Sequence, residues 1–223
     1  MSNINIKDIA KMLGISPSTV SRALSGKPGV SIKLRNKIKK VAKNTGYIKN
    51  LSAQILKNKK SNTIGVIAFD IKNPFYLDFL NGIESIFFHR NYKIILGNVN
   101  ENVEREKIYL NWFIEHNVDG ILSSPVVVDN NKTNSSLYGN IFKLEIPIVF
   151  YDRIFENELQ YDYVIIDNKD AIIKAIHYLK KLGHSNVGIF LSKKGIYTIE
   201  ERLKGFIEGC KNFNINIKKE WIC

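Results

Sequence analysis

Apolar residues recur every three to four positions in three short segments near the start of the chain, which is the spacing of one helix face. A glycine, Gly14, separates the first two segments, and a loop with Gly26, Pro28 and Gly29 separates the last two. The pattern predicts helices over residues 6–13, 17–24 and 32–44. The apolar stripes are Ile6, Ile9, Ala10 and Leu13; Val20, Ala23 and Leu24; and Leu34, Ile38, Val41 and Ala42.

Each segment begins with residues that favour a helix N-terminus. Asn5, Ser16 and Ser31 are candidate N-caps, because their side-chain oxygens can accept the free backbone N–H groups of a first turn. Asp8 follows Asn5 by three residues, and Pro17 occupies the first position of the second helix. Two short helices joined by a tight turn, with a third across them, are the layout of a helix-turn-helix unit.

From residue 62 onward, buried strands alternate with amphipathic helices. This alternation predicts a parallel α/β sheet, in which ligands bind outside the carboxyl ends of the strands. The predicted strands cover 63–70, 92–99, 118–126, 146–153, 163–168 and 186–192. The predicted helices cover 75–91, 102–117, 169–184 and 199–213, and a polar stretch, 127–140, contains a poorly marked helix.

The two parts of the chain differ in their net charge. The first 61 residues hold 14 Lys and Arg against one acid, Asp8, whereas residues 62–223 hold 19 basic and 20 acidic residues. A basic segment of this density typically neutralises phosphates, and a solvated face is the alternative. Ser18, Thr19, Ser21 and Arg22 lie off the apolar stripe of the second helix. Their hydroxyls suit phosphates and base edges, and a guanidinium can pair with guanine.

The composition and motifs of the sequence exclude several other classes of protein. No apolar run has the length of a membrane span, and the N-terminal stretch carries Asp and Lys where a signal peptide is apolar, so we expect a cytoplasmic protein without a membrane partner. Cys210 and Cys223 lack metal-ligand spacing, and the four histidines are scattered. No dinucleotide fingerprint, phosphate loop or nucleophile elbow is present, so we expect no cofactor, no metal and no catalytic residues.

The N-terminal motif "IKDIAKMLGISPSTVSRALSG", with "VS", "GYIKN" and "LSAQIL" after it, resembles the signature of the LacI/GalR family of bacterial transcription regulators. The resemblance implies a homodimer on a pseudo-palindromic double-stranded DNA operator, and a hinge helix at about 50–58 whose Leu56 wedges into the minor groove. Lys49 departs from the family pattern, which has proline there. The residues expected to contact DNA are Asn5, Ser16, Pro17, Ser18, Thr19, Ser21, Arg22, Ser31, Tyr47, Asn50 and Leu56.

The remaining chain carries "NPFY", "VDGIL", "IPIVFYDR", "DN" (within "IDN", 166–168), "LGH" and "RLKGF", which resemble the same family's periplasmic-binding-protein-like effector domain. The resemblance implies that Asp152 and Arg202 hydrogen-bond ligand hydroxyls and that Phe75 stacks on the ligand. The alternatives are a surface pair of Asp152 with Arg153, and an ion pair of Arg202 with Glu200 or Glu201. Family members continue beyond this point, so the effector domain is expected to be C-terminally shortened.

The expected fold is an all-α helix-turn-helix head and hinge helix followed by an α/β periplasmic-binding-protein-like domain with parallel sheets. The expected domains are a head (1–49), a hinge and linker (50–61), a first lobe (62–160) and a partial second lobe (161–223). The expected function is a transcription regulator, a repressor, that responds to a sugar or sugar phosphate. Two alternatives stay open: a small-molecule binding protein, or an α/β enzyme, whose basic head contacts another polyanion.

Overall fold

A computed structural model of the chain describes residues 4–47, 60–127, 133–155, 161–192 and 195–223. The chain divides into two compact units, Met1–Lys57 and Asn58–Cys223. The first unit contains α1 (Ile6–Leu13), α2 (Pro17–Leu24) and α3 (Ile32–Asn44), with the bounds that the apolar spacing predicts. Its buried core consists of Ile9, Ala10, Val20, Ala23, Ile38 and Ala42.

The predicted caps of this first unit are confirmed. The Asn5 side chain accepts the backbone N–H of Lys7 at 2.8 Å, and the carboxylate of Asp8 accepts the N–H of Asn5 at 2.9 Å. Gly14 ends α1 with a φ of 63°, a left-handed conformation that most side chains disfavour. Ser16 and Ser31 cap α2 and α3 through their hydroxyls.

Replacing Asn5 with alanine should lower the free energy of unfolding of this unit by about 1 kcal/mol, because the first turn of α1 loses its side-chain acceptor. Asn36 provides the matched control, since it is exposed within α3 and its replacement removes no cap. Thermal unfolding followed by circular dichroism measures both variants. Equal transitions for Asn5→Ala and Asn36→Ala would show that the cap contributes nothing.

The second unit is built on a five-stranded parallel sheet with the strand order β2-β1-β3-β4-β5. Its strands are β1 (Thr63–Ala68), β2 (Lys93–Asn98), β3 (Gly120–Ser123), β4 (Ile148–Tyr151) and β5 (Asp162–Val164). The intervening helices are α4 (Pro74–His89), α5 (Val103–Glu115) and α6 (Ser135–Lys143). The predicted strand–helix alternation is therefore confirmed, and the poorly marked helix is α6.

The main core of the second unit lies between the sheet and its helices. Apolar side chains from β1, β3, β4 and α5 fill it, as a parallel sheet requires for its covered faces. The buried members are Ile67, Val99, Leu110, Phe113, Val118, Ile121, Val126, Tyr138, Ile141, Ile148, Phe150, Ile154 and Tyr161.

Two further helices, α7 (Asn168–Lys181) and α8 (Tyr197–Asn212), pack closely against each other. A Cβ added at Gly205 would lie 2.4 Å from the Lys169 carbonyl oxygen, so only glycine permits this approach. Ile176, Phe206, Cys210 and Ile215 form the small core beneath them.

One predicted strand is absent from the described structure, and the other five are observed with fewer residues than predicted. Residues 186–192 form no strand but only isolated bridges, Asn186 with Asn216 and Ile189 with Ile222, because the described partner segment supplies too few consecutive backbone bonds. The predicted strand 163–168 is shorter, and its residue 168 already begins α7.

The last strand of the sheet, β5, lies within the range expected to form the second lobe. It hydrogen-bonds to β4 as the last strand of the five-stranded sheet. The four domain boundaries given by the sequence stay predictions. Within the described ranges, no helix has both the length and the apolar composition needed to cross a bilayer.

Candidate functional site

The N-terminus of α2 carries a cluster of hydroxyl groups. Ser16 Oγ lies 2.8 Å from Ser18 Oγ and 2.8 Å from Thr19 Oγ1, and Ser16 Oγ accepts the Thr19 N–H at 3.2 Å. Ser16, Pro17 and Ser18 are exposed. Ser16 Oγ therefore makes three contacts within the turn, whereas the Ser18 and Thr19 hydroxyls make one each and keep further hydrogen-bonding positions for an external partner.

Arg22 lies one turn further along α2, with an exposed side chain. Its guanidinium lies over the loop before α3, where a Cβ added at Gly29 would be 3.4 Å from an Arg22 nitrogen. Arg35 holds that loop by donating to the Lys27 carbonyl at 2.6 Å. Within the described part of the chain, no acid forms an ion pair with Arg22. The guanidinium is supported by the loop yet uncompensated in charge.

The described part of the first unit carries almost only positive charge. Residues 4–47 contain ten Lys and Arg against one acid, Asp8, and the Asp8 carboxylate faces the N-terminal backbone of α1. Such a surface attracts a polyanion with a strength that falls as salt concentration rises.

The other predicted DNA-contacting residues have mixed surroundings. Asn5 and Ser31 are exposed caps, while Ser21 is half-buried on α2. Tyr47 packs partly against the helical core, and burial raises the pKa of its hydroxyl. Asn50 and Leu56 lie outside the described residues, as does the predicted hinge helix.

The second unit has a cleft of about 370 Å³ at the carboxyl ends of β1 and β4. All three residues predicted to bind the effector, Phe75, Asp152 and Arg202, line this cleft. The other lining residues are Phe69, Asn73, Tyr76, Arg153, Ile166, Asn168, Ser192, Ile196, Thr198 and Ile199. The cleft therefore lies at the sheet edge where the topology rule for parallel sheets expects a ligand.

Asp152 directly follows β4 in a left-handed conformation, with φ 62°. Asp tolerates this region better than most residues, and such outliers concentrate at functional sites. The Tyr76 hydroxyl donates to Asp152 Oδ2 at 2.9 Å and lies 3.2 Å from Ser124 Oγ. Burial, followed by the Asp152 charge, raises the pKa of Tyr76, so its phenol stays protonated and fixes the carboxylate as an acceptor.

The alternative of a surface pair between Asp152 and Arg153 is only half right. Arg153 Nε does lie 3.9 Å from Asp152 Oδ2, but the two side chains are 21% and 11% exposed, for Asp and Arg respectively. The pair therefore belongs to the cleft. The Arg153 guanidinium also stacks 3.6 Å from the centroid of the Phe69 ring.

Arg202 projects from α8 and donates through Nε to Asn168 Oδ1 at 2.8 Å. Asn168 in turn donates to the Ile166 carbonyl at 3.0 Å, which fixes its amide. The alternative ion pair of Arg202 with Glu200 or Glu201 is not found within the described ranges, because Glu201 binds Lys204 at 2.8 Å and Glu200 accepts the Gly195 N–H.

Phe75 supplies the apolar wall of the cleft. Its ring is 40% exposed and meets the Tyr76 ring edge-on at a centroid distance of 5.2 Å. An exposed aromatic face beside a carboxylate and a guanidinium suits a molecule with both an apolar face and hydroxyl groups.

Sequence reasoning missed six polar residues of the cleft: Asn73, Tyr76, Arg153, Asn168, Ser192 and Thr198. The first four stand inside motifs at strand ends, "NPFY", "YDR" and "IDN", and Ser192 ends the predicted strand 186–192, so strand-end position was the available signal. Thr198 stands in the first turn of α8 and carried no such signal. In the described part of the chain, no cluster of three His, Cys, Asp or Glu side chains is suited to a metal.

Two protein families match the chain. Residues 5–50 match the bacterial regulatory proteins of the lacI family, and residues 61–223 match the periplasmic binding proteins and sugar binding domain of the LacI family. The two matches coincide with the helical unit and the α/β unit of the structure.

Individual relatives agree with these matches. Catabolite control protein A of Priestia megaterium is 32% identical over 99% of this chain and 65% of its own length. The transcriptional repressor CytR of Escherichia coli K12 is 28% identical over 97% of this chain and 62% of its own. This chain thus spans a little under two thirds of the length of such relatives.

Among solved structures, the lac repressor dimer bound to operator and the anti-inducer ONPF has the same fold. It superposes with a TM-score of 0.81 at 21% identity, over 97% of this chain and 64% of that one. Fold, sequence motifs and family matches agree across both units. The chain therefore belongs to the LacI family of bacterial regulatory proteins.

Proposed function

We propose that this chain is a sequence-specific DNA-binding transcription regulator, acting as a repressor, whose DNA binding responds to a sugar-like effector. The observation that carries the proposal is the presence, in one chain, of a basic helix-turn-helix unit with an unpaired Arg22 and of a polar cleft with Phe75, Asp152 and Arg202. Family membership supports the same function.

On the DNA side, α2 enters the major groove with its N-terminal turn toward the base edges. Ser16, Ser18 and Thr19 supply hydroxyls to phosphates, and Arg22 pairs with guanine through two N–H groups. Two copies of the chain bind the two halves of a pseudo-palindromic operator, with Leu56 of each hinge in the minor groove.

On the effector side, the cleft recognises a polyhydroxylated ring. Asp152 accepts hydrogen bonds from ring hydroxyls because Tyr76 already fixes its orientation. Arg202 donates through the nitrogens not bonded to Asn168, and Phe75 covers the apolar face of the ring.

The effector half is tested by titrating a panel of sugars into the chain by calorimetry and repeating a gel shift with each sugar that binds. Asp152→Asn should weaken the binding of such a sugar by about tenfold, because the amide no longer offers a charged acceptor. Asp78, exposed on α4, provides the matched control as Asp78→Asn. An effect of equal size in both variants would remove Asp152 from the binding site.

A further inference from the structure

One carboxylate holds the segment through which the chain enters the α/β unit. The Ser61 N–H donates to Asp119 Oδ1 at 2.7 Å, and the Asn62 N–H donates to Asp119 Oδ2 at 3.0 Å. The Ser61 hydroxyl also donates to Oδ1, at 3.1 Å. Both oxygens of Asp119 are therefore engaged by two consecutive residues that lie 58 and 57 positions earlier in the chain.

The strands of the sheet bring these residues together. Asp119 directly precedes β3, and its N–H donates to the Thr63 carbonyl at the start of β1 at 2.8 Å. On the other side of β1, the Lys93 N–H donates to the Asn62 carbonyl at 2.9 Å. Asn62 has a φ of 51°, a left-handed conformation that asparagine tolerates better than most residues. The entering segment is thus fixed in direction as well as in position.

The Asp119 carboxylate is dedicated to this segment. In the described part of the chain, no Lys or Arg forms an ion pair with it. Hydrogen bonds from N–H groups to an ionised carboxylate are among the stronger ones in proteins. Ser61 is only 8% exposed, whereas Lys60, directly before it, is exposed. The chain therefore becomes enclosed in the α/β unit at the residue that Asp119 binds.

We propose that Asp119 is a positioning residue for DNA binding, which fixes the point where the linker leaves the α/β unit and so limits the distance that two heads can span. This inference rests on the proposed function, in which two copies bind the two halves of one operator. Without the carboxylate, Ser61 and Asn62 can join the linker, and each extended residue adds about 3.3–3.6 Å of reach. Two freed residues lengthen each linker by up to about 7 Å, the length of about two base pairs.

The test measures DNA affinity against the spacing of the two half-sites, by fluorescence anisotropy at one salt concentration. The probes are a duplex selected from a randomised pool and the same duplex with two base pairs inserted at its centre. The unchanged chain should bind the longer duplex at least about tenfold more weakly, because linkers that cannot span the sites leave the second head unbound. In Asp119→Ala, this loss should shrink to about threefold or less.

Three further variants separate positioning from stability. Asp119→Asn keeps one oxygen for Ser61 but turns an NH₂ toward the Asn62 N–H, so it should give an intermediate loss. Ser61→Ala removes only the hydroxyl contact, and Asp162→Ala removes an exposed carboxylate of β5. Both should keep the spacing preference of the unchanged chain. A change in stability alone lowers both affinities together and leaves their ratio unaltered.

Circular dichroism confirms that each variant is folded before titration. An unaltered affinity ratio in both Asp119 variants would overturn the inference, as would an unchanged chain that binds both spacings equally. Unfolding of both Asp119 variants would assign this carboxylate to the fold alone and would also overturn it. In each case, preference for the selected duplex over a scrambled one leaves the proposed regulator function standing. Equal binding of the unchanged chain to selected and scrambled duplexes would contradict that function itself.

Discussion

Replacing Arg22 with alanine is expected to weaken binding to the cognate DNA site by about 1–3 kcal/mol, while binding to unrelated DNA changes little. The reason is the position of the guanidinium. It is exposed on the helix expected to enter the major groove, supported by the loop at Gly29, and unpaired with any acid in the described structure. A base contact from such a group discriminates between sequences, whereas a phosphate contact does not.

Fluorescence anisotropy at a fixed salt concentration measures this effect, with a duplex selected from a randomised pool and a scrambled duplex of the same length. Lys33→Ala and Lys37→Ala, both exposed on α3, are the controls. If these lysines contact phosphates, their loss should weaken binding to both duplexes alike and flatten the salt dependence. Equal losses on both duplexes for Arg22→Ala would identify it as a phosphate contact.

Glu106→Ala should lower the free energy of unfolding of the α/β unit by about 3 kcal/mol or more, because three buried donors lose their acceptor. Glu106 is fully buried. Its carboxylate accepts the Val126 N–H at 2.9 Å, the Tyr138 hydroxyl at 2.9 Å and the Asn134 amide at 2.7 Å. Burial raises the pKa of Glu106, and these three hydrogen bonds oppose the rise.

Glu106→Gln should also destabilise the unit, by about 1–3 kcal/mol, because in either orientation the glutamine NH₂ would face a donor, the Asn134 NH₂ or the Val126 N–H. Asn134 cannot simply reverse its amide, since the same nitrogen also donates to the Val103 carbonyl at 2.8 Å. Glu104→Ala, exposed on the same helix, is the matched control for urea unfolding. A Glu106→Ala variant within about 0.5 kcal/mol of that control, the usual range for surface substitutions, would show that the network is energetically unimportant.

The head could be predicted almost residue by residue because its signals are local. A cap such as Ser16, a proline at the first helical position and a glycine at the turn each act within a few residues of the chain. The parallel strands were equally recognisable, since buried parallel strands are continuous apolar runs. The segment 186–192 has the same apolar character, yet a strand also needs a partner of sufficient length, and sequence pattern does not report that.

The sequence predicts where the cleft lies, but not which hydrogen bonds join the residues that line it. The family resemblance implied roles for Phe75 and Asp152, whereas the roles of Tyr76 and Asn168 depend on contacts between residues far apart in the chain. The sequence pattern does not single out Glu106 as a buried residue, for a related reason. It stands among other charged residues in "VEREKIY", and only the folded chain shows that this one carboxylate is enclosed.

The central claim is that the basic helical unit recognises a particular DNA sequence. The ratio of two separately measured DNA affinities tests this claim most directly. The 223-residue chain is titrated onto its selected duplex and onto a scrambled duplex at the same salt concentration. The proposed function predicts an affinity at least about a thousandfold higher for the selected duplex, the lower end of the range for specific DNA-binding proteins. Equal affinities for the two duplexes would contradict it and leave only a general attraction to polyanions.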